Sequence, residues 1–486
     1  MPKNDKLRSK IIVSFKWKTL EQIASIGVPF VFGIILARIL NPSDFGMIGM
    51  LAIFISISQL LVDSGFSQAL IQRNSINQDD YSTVFYFNLL MGLIVYLLLF
   101  LISPIISEFY NQPLLTDLIE VLAISVLINS VALVQKAKLI RELNFKDQAK
   151  ISIFSVIIGG ISGVYFAING HGVWSLVYQI LIRSSLSSVL LWYFGKWMPK
   201  IVFSLNSFNK SFSFGSHLLV SGLLNVIFDN LYIIVIGKLY SIKELGFYTR
   251  ANQLSQIPAS GVTSIFQGVM FPVLSQVQNN KELLRSYHRQ GIKLSAFIIF
   301  PVMMGLIAIS ETLVIVLLTE KWTPMVPMME LLALGGLMYP IHALNLNLLK
   351  AKGRSDIFLK IEIIKKLLIT ISVILTFSYG IESMIIGYIV VSYVSFFINT
   401  YYAKQFINYG AIDQIKDLIP IFMLSLVMAT CIYVIDNNID GYLLSFTASA
   451  FFAPLIYFSL AYIFNMGHDN LSMFKNLLKY RHESKK

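Results

Sequence analysis

The chain has few of the residues from which catalytic and metal-binding sites are usually built. One cysteine, Cys431, occurs among 486 residues, and it lies inside an apolar run, so neither a disulfide framework nor a cysteine-based metal site is expected. The six histidines are scattered singly. The sequence contains no P-loop, no G-x-S-x-G motif and no H-E-x-x-H motif. We therefore expect no catalytic residue, no metal and no cofactor.

Charged residues are scarce as well. They make up 13% of the chain, about half of their usual share in soluble domains, whereas 56% of the residues are hydrophobic. The apolar residues form runs of about 20, and each run is long enough as a helix to cross about 30 Å of hydrocarbon. The runs lack the alternation of barrel strands. The composition predicts an all-α, polytopic membrane protein.

About fourteen transmembrane helices are expected, numbered here as segments 1–14 in chain order. The segments are residues 17–40, 45–63, 81–106, 118–139, 151–168, 173–194, 212–236, 252–277, 292–309, 325–349, 361–379, 383–406, 415–435 and 442–464. We expect residues 65–80 to form a polar loop and residues 311–324 to form an interfacial or re-entrant turn. The first segment is too long for a cleaved signal peptide, so it is expected to remain as a span.

The turn after segment 1 is repeated after segment 7. A basic residue, an acidic residue and a glycine recur about 200 residues apart: Arg38 with Lys238, Asp44 with Glu244, and Gly46 with Gly246. A repeat of such long period indicates a duplicated architecture. We expect two pseudo-symmetric six-helix lobes. The expected parts are an N-lobe (1–195), a cytoplasmic linker (196–210), a C-lobe (211–408), two further helices (409–466) and a basic cytoplasmic tail (467–486).

The net charge of +12 indicates how the protein is oriented in the membrane rather than a nucleic acid partner. The basic connections after segments 4, 6, 8 and 10 fall on the same side as both termini, and the positive-inside rule makes that side cytoplasmic. We therefore expect no nucleic acid partner. The tail is expected to contact anionic lipid headgroups.

Polar residues recur along one face of several segments. Segment 7 has a polar residue at every fourth position, and such a spacing makes a continuous stripe on a helix. Polar stripes in hydrocarbon indicate either a water-filled cavity or hydrogen bonds between helices, and cavity lining is the preferred interpretation. The candidates are Gln59 on segment 2, His217, Ser221 and Asn225 on segment 7, and Gln253, Gln256 and Gln267 on segment 8.

Arg183 lies near the middle of segment 6, beside four serines. A guanidinium at that depth is either an anion contact, since arginine pairs with phosphate through two hydrogen bonds, or one half of a buried pair. Three further cations at the outer ends of spans are phosphate-contact candidates, although snorkelling to the interface is the commoner behaviour: Arg38, Lys238 and Arg250. The candidates for proton or sodium coupling are Asp229, Glu21 and Asp63.

Two stretches of the chain resemble signatures of a known family. Ala37-Arg38-Ile39-Leu40-Asn41-Pro42-Ser43-Asp44-Phe45-Gly46 is similar to the "LAR-x-L-x-P-x-D-F-G" turn of bacterial polysaccharide transporters. Residues 245–254, with Pro258 after them, resemble their "L-G-x-Y-x-R-A-x-x-L…P" stretch. The resemblance is to the Wzx-type oligosaccharide flippases of the multidrug/oligosaccharidyl-lipid/polysaccharide exporter superfamily, and it covers essentially the whole chain.

The resemblance implies a flippase of the bacterial inner membrane. Its substrate would be an undecaprenyl-diphosphate-linked oligosaccharide, moved from the cytoplasmic to the outer leaflet in a cavity between the lobes that helices 1, 2, 7 and 8 line. A polysaccharide polymerase is a further expected partner. Two other functions stay open: a cation-coupled multidrug antiporter, which needs a deep acid, and a membrane-embedded polymerase or ligase, which usually needs a large outer loop.

Overall fold

The computed structural model describes residues 2–73 and 75–464, without the side chains of residues 2–16, 213, 214 and 217. The basic tail predicted at 467–486 lies outside the described residues. The described chain is helical. The helices are α1 (Pro2–Ile39), α2 (Pro42–Asp63), α3 (Phe66–Gln72), α4 (Gln78–Tyr110), α5 (Leu114–Ser130), α6 (Leu133–Arg141), α7 (Phe145–Ile168), α8 (Trp174–Gly195), α9 (Leu205–Asp229), α10 (Leu231–Leu239), α11 (Ile242–Gln276), α12 (Lys281–Ala308), α13 (Ser310–Leu318), α14 (Val326–Gly336), α15 (Tyr339–Ala351), α16 (Ser355–Thr376), α17 (Ile381–Ile407), α18 (Ala411–Asn438) and α19 (Tyr442–Ile463).

The predicted all-α membrane architecture is confirmed. Eleven helices of the described chain are long and apolar enough to cross a membrane, and the number rises to 13 when two bent helix pairs each count as one span. The remaining predicted span corresponds to α16, which carries five charged residues along its 22. The count of fourteen therefore stays a prediction.

Two predicted spans are bent. Segment 4 is built from α5 and α6, which meet at 41°, and segment 7 is built from α9 and α10, which meet at 44°. The second break falls at Asn230, whose side chain donates to the carbonyl of Val226 at 2.8 Å. Asparagine competes for backbone hydrogen bonds in this way, and it is therefore a common residue at helix ends.

The polar loop expected at 65–80 contains a helix, so that prediction is wrong for α3. The apolar face of α3 explains the helix, because Phe66 is fully buried and stacks on Phe87 with 4.3 Å between ring centroids. Side chains also bind backbone groups at both ends of α3. At the N-terminal end, Asp63 accepts from the backbone N–H of Ser67 at 3.1 Å. At the C-terminal end, Arg141 donates to the carbonyls of Leu70 and Arg73. Residues 311–324, expected as an interfacial or re-entrant turn, form most of α13 and a 3-10 turn over Glu320–Met325.

The chain forms two compact units, residues 1–246 and 247–486. In unit 1, α7 packs between α1 and α8, and α2 packs against α4, α5, α9 and α10. In unit 2, α12 packs against α14, α15 and α18, and α17 packs against α14, α15 and α16. The apolar core of unit 2 is built around fully buried side chains of α12 such as Ile299, Phe300 and Met303. The lobe boundaries inferred from the repeat remain a prediction.

Glycines bring the two ends of α2 against the stretch 205–246 within unit 1. A Cβ atom on Gly46 would lie 2.0 Å from the carbonyl oxygen of Ile242, and one on Gly246 would lie 1.8 Å from that of Pro42. At the other end of α2, a Cβ on Gly215 would lie 2.2 Å from the carbonyl oxygen of Ser64. Each glycine of the repeated turn therefore packs against the other copy of the turn: Gly46 against the second copy and Gly246 against the first. Only a residue without a side chain permits this backbone approach.

Replacing Gly246 by alanine should destabilise unit 1. The added methyl group meets backbone rather than a flexible side chain, so the helices must shift at a cost of about 1–3 kcal/mol. The measurement is the Tm of the purified protein. Gly268→Ala is the matched control, because it lies on the same helix with nothing within 4 Å of an added Cβ, and it should not lower the Tm. Equal effects of the two substitutions would contradict the close contact.

Candidate functional site

A cavity of about 420 Å³, called here the unit 1 cavity, lies among α2, α5, α6 and α8. Apolar residues such as Val62, Val126 and Leu191 form part of its wall. Its polar side chains are Gln59, Asn129, Ser130, Lys136, Arg183, Ser184 and Ser187. The structure thus brings together Arg183 and Gln59, which the sequence analysis selected separately.

Arg183 lies nine residues into α8, about 14 Å along the helix from its start. Its side chain is exposed towards the cavity. A Cβ atom on Gly159 of α7 would lie 2.8 Å from the Cβ of Arg183, so the glycine lets α7 pack closely beside the arginine. No acid lies within ion-pair distance of Arg183 among the residues that the structure describes. This arrangement favours an anion contact over a buried pair.

The charge of the unit 1 cavity is of one sign. Lys136 and Arg183 both line it, and none of its lining residues is acidic. Two cations next to amide and hydroxyl groups make a favourable environment for an anion such as a phosphate.

A second cavity, called here the unit 2 cavity, has a volume of about 500 Å³ and lies among α11, α15, α16 and α17. Its wall includes the predicted candidate Gln267 and its neighbour Ser264. It also includes Glu362 and Lys365, which form an ion pair at 3.3 Å. Sequence reasoning missed these two residues. The signal was present, because a charge inside an apolar run is the feature that had drawn attention to Arg183.

His342 borders the unit 2 cavity and is held by two hydrogen bonds. The amide nitrogen of Asn399 lies 3.1 Å from Nδ1 of His342, and Oγ of Ser392 lies 3.0 Å from Nε2. The Asn399 amide and the Ser392 hydroxyl therefore each contact one ring nitrogen of His342. The two contacts hold the ring of His342 in a fixed orientation.

The two cavities are formed by corresponding parts of the repeated plan. Segments 2, 4 and 6 line the unit 1 cavity, and segments 8, 10 and 12 line the unit 2 cavity together with segment 11. These are the second, fourth and sixth segments of each predicted repeat. The correspondence supports treating both cavities as functional candidates.

Other predicted residues lie outside both cavities. Arg250 donates to Oε1 of Gln253 at 2.5 Å, so both of these candidates take part in a local contact within α11. Lys238 lies 4.7 Å from the ring centroid of Phe109, and Arg38 lies in the last turn of α1. Three further candidates lie on α9 or α11 and line neither cavity: Ser221, Asn225 and Gln256. The side chain of His217 lies outside the described residues.

The three acids proposed for ion coupling line neither cavity. Glu21 forms an ion pair with Lys18 at 2.7 Å. Asp63 accepts from the first turn of α3. Asp229 is the last residue of α9 and is exposed. Their role in coupling stays a prediction.

The same fold occurs in the solved structures of a lipid II flippase and of a multidrug resistance MATE family transporter. The structure matches the lipid II flippase MurJ in its inward closed conformation with a TM-score of 0.78 and 16% identity, over 94% of this chain and 99% of that protein. At that identity the likeness establishes the fold alone.

Sequence comparison gives the family. Residues 35–327, more than half of the chain, match the family model described as "Polysaccharide biosynthesis protein". The chain belongs to this polysaccharide biosynthesis protein family, which confirms the resemblance inferred from the turn motifs.

Two relatives illustrate the family. The teichuronic acid biosynthesis protein TuaB of Bacillus subtilis (strain 168) is 28% identical over 72% of this chain and 73% of its own length. The lipopolysaccharide biosynthesis protein WzxC of Escherichia coli (strain K12) is 28% identical over 74% of both chains.

The unit 1 cavity should be accessible to water-soluble reagents. In a Cys431→Ser background, Gln59→Cys should react with a charged methanethiosulfonate reagent at least ten-fold faster than Ser58→Cys. The two positions are neighbours on α2, but Gln59 lines the cavity whereas Ser58 is 2% exposed. The measurement is the rate of thiol labelling in membranes. Equal rates would contradict an open cavity at this place.

Proposed function

We propose that this protein is a flippase, not an enzyme, and that it moves undecaprenyl-diphosphate-linked oligosaccharides from the cytoplasmic to the outer leaflet of the bacterial inner membrane. The products would supply the synthesis of a surface polysaccharide. Family membership supports the proposal, because TuaB is named for the biosynthesis of teichuronic acid and WzxC for that of lipopolysaccharide. The MurJ-like fold is compatible with a lipid-linked substrate.

The unit 1 cavity is the observation that carries the proposal. A diphosphate cannot cross hydrocarbon unshielded, because an ion loses several kcal/mol or more of hydration there. Arg183 and Lys136 line a polar cavity without an acid, and Arg183 lies near the middle of a span. Guanidinium groups bind phosphate oxygens through two parallel hydrogen bonds, so Arg183 is the expected diphosphate contact.

The transport cycle would follow alternating access. The diphosphate and its sugars enter a polar cavity from the cytoplasmic side while the prenyl chain stays in lipid, and a change in the arrangement of the repeats then opens the cavity to the outer side. Both termini would be cytoplasmic, as the distribution of basic residues indicates.

The cavities favour this function over the two alternatives. A cation-coupled antiporter needs an acid that is free to bind an ion. The unit 1 cavity has no acidic lining residue, and the acid of the unit 2 cavity, Glu362, is paired with Lys365. The proposed coupling acids Glu21 and Asp63 have partners in their own neighbourhood. A polymerase or ligase would need a catalytic loop, but the connections between the described spans are short.

Replacing Arg183 by alanine should reduce polymer export at least ten-fold, because the diphosphate loses a bidentate contact, whereas Arg183→Lys should retain part of the export. The measurement is surface polysaccharide per cell, normalised to the amount of the protein in the membrane. Arg285→Ala is the matched control, since Arg285 is an exposed arginine of α12 that lines neither cavity. Normal export by Arg183→Ala would contradict the anion role of Arg183.

A further inference from the structure

The unit 2 cavity differs from the unit 1 cavity in its charge. Its cation, Lys365, is paired with Glu362 at 3.3 Å, and both ring nitrogens of His342 already contact the protein at Asn399 and Ser392. A cavity with compensated charge has no preference for an anion. It offers donors and acceptors of both kinds, which is the chemistry that neutral polyhydroxy compounds require.

The unit 2 cavity also contains an unengaged amide. Gln267 lines the cavity, and its side chain makes no hydrogen bond with the rest of the described chain. The neighbouring hydroxyls differ in this respect, since Ser264 donates to the carbonyl of Gly261 at 2.9 Å. Gln267 therefore keeps two donors and an acceptor for a ligand.

An aromatic ring forms another part of the wall. Tyr388 lines the cavity, and its ring packs against α14, where a Cβ atom on Gly335 would lie 3.1 Å from Cε1 of the tyrosine. As a lining residue, Tyr388 contributes aromatic surface to the cavity, and an aromatic side chain with two χ angles loses little entropy when a ligand packs on it. The apolar faces of sugar rings pack well on such a surface. The volume of about 500 Å³ is within the usual range for small-ligand sites.

We propose that the unit 2 cavity is a saccharide-binding subsite that reads the oligosaccharide of the substrate. Tyr388 would pack on a sugar ring, while Gln267 and the Glu362–Lys365 pair would hydrogen-bond to its hydroxyl groups. The inference rests on the proposed function, and it assigns the diphosphate and the sugars to two different cavities. The unit 2 cavity would therefore determine which sugars are transported, whereas the unit 1 cavity would be needed for every substrate.

The test compares two substrates in the host cell. One is the complete lipid-linked repeat unit, and the other is the lipid that carries its first sugar alone, obtained in a strain without the second glycosyltransferase. The measured quantity is the fraction of each lipid in the outer leaflet of spheroplasts, detected by oxidation of its sugar diols with membrane-impermeant periodate. Values are normalised to the amount of the protein in the membrane.

Gln267→Ala and Tyr388→Ala should lower the outer-leaflet fraction of the complete unit at least five-fold and change that of the one-sugar lipid less than two-fold. Tyr388→Phe should behave as the parent protein because it keeps the ring. Gln276→Ala is the matched control, as the same residue type on the same helix, exposed and outside both cavities. Arg183→Ala should lower the outer-leaflet fractions of both lipids.

Two results with Gln267→Ala and Tyr388→Ala would overturn the saccharide subsite. One is an equal fall in the outer-leaflet fractions of both lipids, and the other is no fall in either fraction. The failure of the proposed function looks different. If deleting the gene leaves both lipids in the outer leaflet at parental levels, the protein is not the flippase. If Arg183→Ala alone is normal while Gln267→Ala is selective, the anion role of Arg183 fails and the saccharide subsite stands.

Discussion

The cost of placing polar groups in hydrocarbon constrains every part of this chain. The helices satisfy their own backbone groups, so the remaining problem is the polar side chains within the spans. The structure gathers several of them around two cavities, one with unpaired cations and one with a paired acid and base. The same cost applies to a charged substrate, which can cross only where the protein replaces its water. The constraint that shapes the fold therefore also defines what the fold can carry.

Helix α2 connects the close helix packing of unit 1 with its cavity. Its two ends approach the stretch 205–246 at Gly46 and Gly65, where backbone meets backbone, and Gln59 between them lines the unit 1 cavity. Contacts of this kind tolerate almost no added volume, so they fix the position of α2, and with it Gln59, relative to the stretch 205–246. The repeated turn that stands out in the sequence is thus part of the framework that shapes the cavity.

Much of the architecture was predictable from hydrophobic run length, because a membrane span needs about 20 apolar residues whatever its partners are. The bends at Asn230 and after Ser130 were not, since they depend on local hydrogen bonds and packing. Arg183 and Gln59 could be selected from charge and polarity inside spans. Their convergence in one cavity could not, because distance along the chain says nothing about which helices pack together. The ion pair of Glu362 and Lys365 was missed although the same signal marked it.

Flippase activity is tested most directly by deleting the gene and determining on which leaflet the lipid-linked oligosaccharide accumulates. Lipid extraction with mass measurement identifies the sugar, and accessibility to an impermeant reagent before extraction identifies the leaflet. A flippase role predicts accumulation in the cytoplasmic leaflet together with loss of the surface polymer. Unchanged lipid intermediates with altered drug sensitivity would contradict it and would favour a drug antiporter, whereas accumulation in the outer leaflet would indicate a polymerase or ligase.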